Sequence, residues 1–273
     1  MIGTTQTLEV VRHSDHGLYL DAGEMGTVLL PSRQVPEGVE PGEELTVFLY
    51  HDSEDRPIAT LDTPKAELDQ VAMLSVVSVN DVGAFLDWGL QKDLFVPFRE
   101  QAEEMDEGES YLVKVYRDDV TGRLAATSRL DRIIEKVGPH HVDGEEVSLI
   151  IAGWTDLGAK AIVNHTCWGI LYESDTFRDL EIGQQVTGYI AKVRDDGKLD
   201  LTLQRPGYAK VTDFADVVLA AVKEEGVLRL TDRSAPEEIY ERFGVSKKVF
   251  KKAVGQLYRK RVIVIEEDGI RLV

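Results

Sequence analysis

Roughly the first 200 residues alternate between apolar and polar positions in short runs, and turn-forming residues separate these runs. Residues 186–193 form one such run, and residues 119–122 and 195–198 are turn signals that contain Asp and Gly. A period of two residues predicts β-strands with one buried face. Most of the chain is therefore predicted to consist of short strands joined by tight turns.

The predicted strands belong to a unit that occurs three times. Matching residues of the first two copies lie 66 residues apart, at Gly17/Gly83, Pro31/Pro97, Gly42/Gly108 and Asp52/Asp118. The third copy is looser and is clearest at residues 156–160, around Gly158. Five strands in about 65 residues suit a small closed barrel, because closure leaves no exposed sheet edge. The repeated mid-strand glycine predicts a sharp bend or bulge at a barrel corner.

The period changes from two residues to helical spacing after residues 204–207. Residues 213–222 place their apolar side chains on one helix face. A capping pattern with a proline in the first turn opens a second helix that ends at Phe243. A third helix, capped by Ser246, is predicted to run to about Arg261, and an Asp-Gly pair then marks a hairpin. Three helices and a hairpin in this order predict a winged helix-turn-helix.

The predicted fold is thus multidomain and mainly β, with three five-stranded barrels in tandem and a C-terminal α/β winged helix-turn-helix. The barrels are assigned to residues 1–63, 64–135 and 136–207, and the winged-helix domain to residues 208–273.

The order of motifs in the repeat resembles the S1 RNA-binding domain, an OB-fold. In the second copy Asp-Val-Gly-Ala-Phe at residues 81–85 precedes Phe-Val-Pro at residues 95–97, and the third copy follows a similar order. The first copy is recognisable mainly through the second. The resemblance implies a base-stacking face made by two aromatic residues and a histidine. The three copies place these positions at His16, Tyr19 and Pro31, at Val82, Phe85 and Pro97, and at Leu157, Lys160 and Tyr172.

Charge is distributed unevenly along the chain, whose net charge is −18. The three barrels hold 12, 15 and 11 acidic residues against 3, 8 and 7 basic ones, whereas residues 208–273 hold 13 basic and 11 acidic residues. Binding to nucleic acid depends on neutralising phosphates. The C-terminal end is therefore the favoured place for such binding.

Seven basic residues and no acidic one lie between Lys247 and Arg261, on the third predicted helix. The apolar residues of this helix face the core, so its lysines are predicted to face solvent where nucleic acid would dock. The candidates in this domain are Lys247, Lys248, Lys251, Lys252, Arg259, Lys260 and Arg261. Those in the third barrel are Lys160, Tyr172, Lys192, Arg194 and Lys198. Phe85 is the candidate stacking platform of the second barrel, and His16 and Tyr19 are secondary candidates in the first. A merely solvated lysine-rich face stays open as the alternative.

Three S1-like barrels followed by a winged helix resemble, over nearly the full chain, the conserved virulence factor B family of bacterial RNA-binding regulators. The resemblance implies RNA binding and an influence on gene expression. Our leading hypothesis is sequence-tolerant binding of single-stranded or loosely structured RNA by the third barrel and the winged helix. The rival hypothesis is a protein-interaction adaptor whose acidic barrels dock ribosomal or transcriptional proteins, and a DNA-binding regulator is a third.

No catalytic chemistry is indicated by the sequence. It contains no phosphate-binding glycine loop and no nucleophile elbow, and His140, His141, His165 and Cys167 lack a usual metal-ligand spacing. Three tryptophans, at positions 88, 154 and 168, are interpreted as core or interdomain contacts. We expect a monomeric cytoplasmic protein without enzymatic activity, cofactor, metal or membrane segment.

Overall fold

The structure, a computed structural model, describes residues 1–138, 140–172, 180–203, 211–266 and 269–273, with the backbone alone at residues 211–213. The chain forms two compact units, Met1–Ile133 and Ile134–Val273. Two barrels make up the first unit, and the second contains the third barrel and the C-terminal domain.

Barrel 1 is a closed sheet with the strand order β1-β2-β3-β5-β4. Its strands are β1 (Thr5–Ser14), β2 (Gly17–Asp21), β3 (Thr27–Pro31), β4 (Glu44–His51) and β5 (Pro57–Thr60). Alternate side chains point inward, and Val10, Leu18, Leu30 and Leu49 are completely buried. The last strand closes the barrel because it pairs with both β3 and β4.

Barrels 2 and 3 repeat the same connectivity. Barrel 2 contains β6 (Val71–Asn80), β7 (Gly83–Asp87), β8 (Leu94–Pro97), β9 (Ser110–Arg117) and β10 (Leu124–Thr127), in the nearly closed order β10-β9-β6-β7-β8. A short helix, α1 (Leu130–Ile133), follows it. Barrel 3 contains β11 (Glu146–Thr155), β12 (Gly158–Val163), β13 (Cys167–Tyr172), β14 (Gln185–Val193) and β15 (Leu199–Thr202), in the closed order β11-β12-β13-β15-β14.

The repeated glycine opens the second strand of each barrel instead of lying within a strand. Its backbone explains why glycine is needed, because Gly83 has a φ of 155° and an added Cβ would lie 2.2 Å from the carbonyl oxygen of Val96. The bend itself falls on the preceding strand. A β-bulge interrupts that strand at Val10/Arg12, Val76/Ser78 and Ile151/Gly153.

The C-terminal domain is a winged helix. Its elements are α2 (Val211–Glu225), β16 (Val227–Leu228), α3 (Pro236–Phe243), α4 (Lys247–Arg259), β17 (Ile263–Ile265) and β18 (Ile270–Leu272). The three strands pair in the order β16-β18-β17. Phe214 of α2 and Phe250 of α4 are completely buried, and both rings contact Phe243 of α3.

The predicted fold class is therefore confirmed, with differences at the helix ends. The last helix stops at Arg259, because Arg261 adopts a left-handed conformation with a φ of 58° that a helix does not accommodate. Ser246 caps it as predicted, accepting a hydrogen bond from the Val249 backbone N–H at 3.4 Å. The exact domain boundaries stay a prediction. Within the ranges that the structure describes, every helix is too short or too polar to cross a membrane.

Candidate nucleic-acid interface

One face of α4 is basic and exposed. Phe250, Ala253, Val254 and Leu257 are buried, so the opposite side of the helix faces solvent. That side carries Lys248, Lys251, Lys252, Tyr258 and Arg259, and Lys260 and Arg261 follow at its end. In the described part of the chain none of these basic residues forms an ion pair. The cations are thus available to phosphate, and we call this surface the α4 basic face.

The sequence-based prediction that Lys247 faces solvent is wrong. Its side chain is half-buried, and its ammonium group donates a 2.7 Å hydrogen bond to the Ser234 carbonyl oxygen. The lysine therefore ties the start of α4 to the segment before α3. Its position suits a structural contact better than a contact with phosphate.

Gly255 lies in the middle of the α4 basic face, where helices usually avoid glycine. An added Cβ would meet no atom within 4 Å. We expect Gly255→Ala to stabilise the winged helix by about 1 kcal/mol, because alanine has the higher helix propensity. Thermal unfolding should show a midpoint several degrees higher for this domain. An unchanged or lower midpoint would show that the glycine relieves a strain in α4.

The outer surface of barrel 3 carries the other set of candidates. The register aligns Lys160 of β12 with Ile170 of β13, Ile170 with Asp200 of β15, and Asp200 with Lys192 of β14. These four side chains form one row across the sheet, and Trp168 and Tyr172 flank the row because they lie two residues from Ile170 on β13. We call this set the barrel 3 row.

Lys160 lies over the ring of Trp168, with its ammonium nitrogen 3.7 Å from the ring centroid. This is the geometry of a cation–π interaction. A base that stacks on Trp168 would displace the lysine from the ring and leave its charge beside the strand's phosphates. The pair thus combines a stacking platform with a cation.

Two predicted cations of barrel 3 are already paired. Arg194 forms a 2.7 Å ion pair with Asp200 and also donates a hydrogen bond to the Tyr172 hydroxyl. Lys198 pairs with Asp196 at 2.7 Å, and this hydrogen bond lowers the pKa of the Asp196 carboxyl. Among the described residues Lys192 forms no ion pair, and Lys160 lies over the Trp168 ring. Barrel 3 is therefore less positive than its composition indicates.

The corresponding row differs in the other barrels. In barrel 1 the guanidinium carbon of Arg12 lies 3.7 Å from the centroid of the Tyr19 ring, and His16 is exposed in the adjoining turn. In barrel 2 Phe85 aligns with Phe95, with ring centroids 5.1 Å apart. Phe85 is half-buried and faces outward, as a stacking platform requires.

Sequence reasoning missed Trp168 and Tyr258 as site residues. Alternation along β13 was the available signal for Trp168, because it puts this residue on the same face as Tyr172. Helical spacing gives the equivalent signal for Tyr258, which is 55% exposed on the same side as Lys251.

Comparison with known protein families agrees with this architecture. The S1 domain model matches residues 2–62 and 70–129, so the first copy is matched directly as well as the second. A CvfB-like winged helix domain model matches residues 216–272. The fold and these matches define a tandem OB-fold protein built from domain types that bind nucleic acids. The chain contains S1 domains and a CvfB-like winged helix domain, and it is similar over its full length to proteins named conserved virulence factor B.

The similarity to individual known proteins covers nearly the whole chain. The chain is 28% identical to the uncharacterized protein YitL of Bacillus subtilis (strain 168), covering 98% of this chain and 92% of that protein. It is 27% identical to conserved virulence factor B of Staphylococcus epidermidis, covering 100% and 95%. A solved structure of a multidomain protein with nucleic acid binding domains from Streptococcus pneumoniae covers 100% of this chain and 98% of that chain, with 20% identity and a TM-score of 0.42.

Proposed function

We propose that this protein is a non-enzymatic regulator that binds single-stranded or loosely structured RNA with low sequence specificity. The α4 basic face and the barrel 3 row, which belong to the same compact unit, supply the contacts. The observation that carries the proposal is the set of exposed cations on α4 that have no carboxylate partner in the described chain. A role in gene regulation is what the resemblance to the conserved virulence factor B family implies.

Low specificity follows from the chemistry of the two surfaces. Lysine ammonium groups bind phosphates, which carry no base identity. An aromatic ring such as Trp168 stacks on any base, because every base has a flat π-face. A surface made of these two elements holds a strand without reading its sequence.

Replacing Trp168 with alanine is the test that separates stacking from simple charge attraction. We expect Trp168→Ala to weaken binding of the full-length protein to single-stranded RNA about tenfold, with an unchanged dependence on salt, because stacking releases no counterions. Fluorescence anisotropy at several salt concentrations measures both quantities. Trp154→Ala is the control, since Trp154 is 52% exposed and lies outside the barrel 3 row.

Equal losses in these two variants would contradict a specific role of the Trp168 ring and of the barrel 3 row. The same titration with DNA of matching sequence tests the preference for RNA. Tighter binding to DNA would contradict the RNA proposal and favour the DNA-binding alternative.

A second candidate function, a protein-docking adaptor, is favoured by the acidity of barrels 1 and 2. Residues 1–135 hold 27 acidic and 11 basic residues, a charge that attracts basic proteins such as ribosomal proteins. Purification from cells after nuclease treatment distinguishes the two functions. Partners that survive nuclease favour the adaptor, and partners that are lost favour RNA.

A further inference from the structure

A groove of about 910 Å³ lies against barrel 2 in the first compact unit. The hairpin of β7 and β8 lines one part of it, and β9, β10 and the loop between them line another. Barrel 1 contributes Tyr50, His51 and Ser53 to the lining. A cavity of this volume is typical of a site that holds a small molecule or a few side chains of a partner. We call it the barrel 2 groove.

The outer face of the β7–β8 hairpin combines aromatic rings with carboxylates. Phe85 aligns with Phe95 across the hairpin, and their ring centroids lie 5.1 Å apart. Asp87 follows Phe85 by two residues, and Asp93 precedes Phe95 by two residues. Residues two apart on a strand share one face, so the two carboxylates lie on the same outer face as the rings. A pair of rings is thus placed beside a pair of carboxylates.

The two carboxylates differ in their partners. Asp87 accepts a 2.7 Å hydrogen bond from the Lys65 ammonium group. Asp93 lines the groove and is half-buried, and its carboxylate forms no ion pair with any residue that the structure describes. Burial and the neighbouring Asp87 raise the pKa of Asp93, because both disfavour its charged form. A cation that enters the groove would offset this cost.

Apolar side chains are exposed at the same groove. Val82, Phe98 and Val120 all line it, and they are 58%, 46% and 90% exposed. Clustered exposed apolar side chains are typical of contacts with other proteins. Val82 also occupies a position where the S1 resemblance implies an aromatic residue, and Pro97 one where it implies a histidine. Since a base stacks on flat rings, this part of the groove suits an apolar protein side chain better than a base.

Charge around the groove favours a cationic ligand. The first two barrels hold 27 acidic and 11 basic residues. Three cations line the groove, but each already has a carboxylate partner. They are Arg99, which pairs with Asp118 at 3.0 Å, and Lys92 and Arg123, which share Asp55. This excess of negative charge attracts a basic protein segment and repels a strand of phosphates.

We propose that the barrel 2 groove docks a basic segment of a partner protein, with an arginine side chain stacked on Phe85 and Phe95 and paired with Asp93. A guanidinium group suits this arrangement, because it stacks on aromatic rings and presents its N–H groups to a carboxylate at the same time. An apolar residue beside the arginine contacts Val82 and Phe98. The proposal rests on the second candidate function, the protein-docking adaptor, and names its site and the chemistry of its partner.

The first test titrates the full-length protein with a fluorescently labelled peptide made of three Arg-Gly-Val repeats. A second peptide carries citrulline, a neutral analogue of arginine, at every arginine position. Fluorescence anisotropy should show that the arginine peptide binds and that the citrulline peptide binds about tenfold more weakly or less. Equal affinity for the two peptides, or no binding of either, would overturn the proposal.

Asp93→Asn separates the groove from general attraction to an acidic protein. We expect this variant to bind the arginine peptide about tenfold more weakly. Glu103→Gln removes an exposed carboxylate of the same barrel outside the groove and should have little effect. Without peptide, Asp93→Asn should melt at a higher temperature than the wild type, because an unpaired half-buried charge is removed. A lower melting temperature, or equal losses of affinity in the two variants, would contradict the proposal.

Phe85→Leu tests the aromatic wall, because leucine keeps the apolar bulk but has no ring. We expect it to weaken binding of the arginine peptide about fivefold. A short single-stranded RNA is then titrated into the Lys248→Glu/Lys251→Glu/Lys252→Glu background, in which α4 no longer attracts it. RNA binding that Phe85→Leu abolishes, together with no binding of the arginine peptide, would make the groove an RNA site and overturn the proposal.

Purification from cells after nuclease treatment distinguishes the failure of this site from the failure of the adaptor function. The wild type and Asp93→Asn are compared as full-length proteins. Loss of nuclease-resistant partners in Asp93→Asn, but not in Glu103→Gln, is the expected result. Partners that Asp93→Asn retains as well as the wild type does would leave the adaptor function in place but overturn the assignment of its docking site to the barrel 2 groove.

Discussion

Replacing Lys248, Lys251 and Lys252 together with glutamate is expected to lower the affinity for single-stranded RNA about a thousandfold at physiological salt. Three phosphate contacts are lost, and three carboxylates then repel the strand at the same places. A plot of the logarithm of the binding constant against the logarithm of salt concentration should also become less steep. Its slope should decrease in magnitude by about two, because each phosphate contact with a single strand contributes about 0.7 to the slope. Fluorescence anisotropy over a range of salt concentrations measures both effects.

The control makes the same change in charge elsewhere. Arg132, Lys136 and Lys223 are exposed and lie outside α4, and their replacement by glutamate gives a protein of identical net charge. This control should keep most of the affinity. Equal losses in both variants would mean that overall charge, and not the α4 basic face, governs binding.

Gly83→Ala is expected to destabilise barrel 2 by about 4 kcal/mol. Its φ of 155° is strained for alanine, and the new Cβ would collide with the carbonyl oxygen of Val96, so β7 and β8 would have to separate. Urea unfolding followed by the fluorescence of Trp88, which is buried in this barrel, reports the loss.

Gly108→Ala isolates the contribution of the backbone angle. This glycine belongs to the same barrel and has a φ of 85°, but an added Cβ would meet no atom within 4 Å. We expect a loss of about 1–2 kcal/mol there. If the two variants were equally stable, close packing against Val96 would not be the reason for glycine at position 83.

Local patterns were sufficient to predict the architecture. The constant spacing of Gly17 and Gly83 indicated a repeated barrel, and helical spacing in α4 identified Phe250 and Leu257 as core residues. The first signal compares two copies of one unit 66 residues apart, and the second comes from residues close in sequence whose side chains share one helix face. Neither signal requires knowledge of which strands pair.

The candidate sites were harder to predict because they depend on pairing between strands and between barrels. Arg194 was expected to contact phosphate, but Asp200 on the neighbouring strand already holds it. Alternation along β13 puts Trp168 on the outer face, but its contact with Lys160 becomes visible only when the strand register is known. The packing of Phe48 of barrel 1 against Trp88 of barrel 2 is likewise a contact between distant segments that alternation along the chain does not encode.

The aligned residues on the second and third strands of each barrel have a wider consequence. The equivalent position is occupied by Tyr19 and Leu29 in barrel 1, by Phe85 and Phe95 in barrel 2, and by Lys160 and Ile170 in barrel 3. All three pairs point away from the core, so selection can exchange them without disturbing barrel closure. Duplication has therefore freed the surface to diversify while the interior stays constrained, and three copies of one fold can acquire three different ligand preferences.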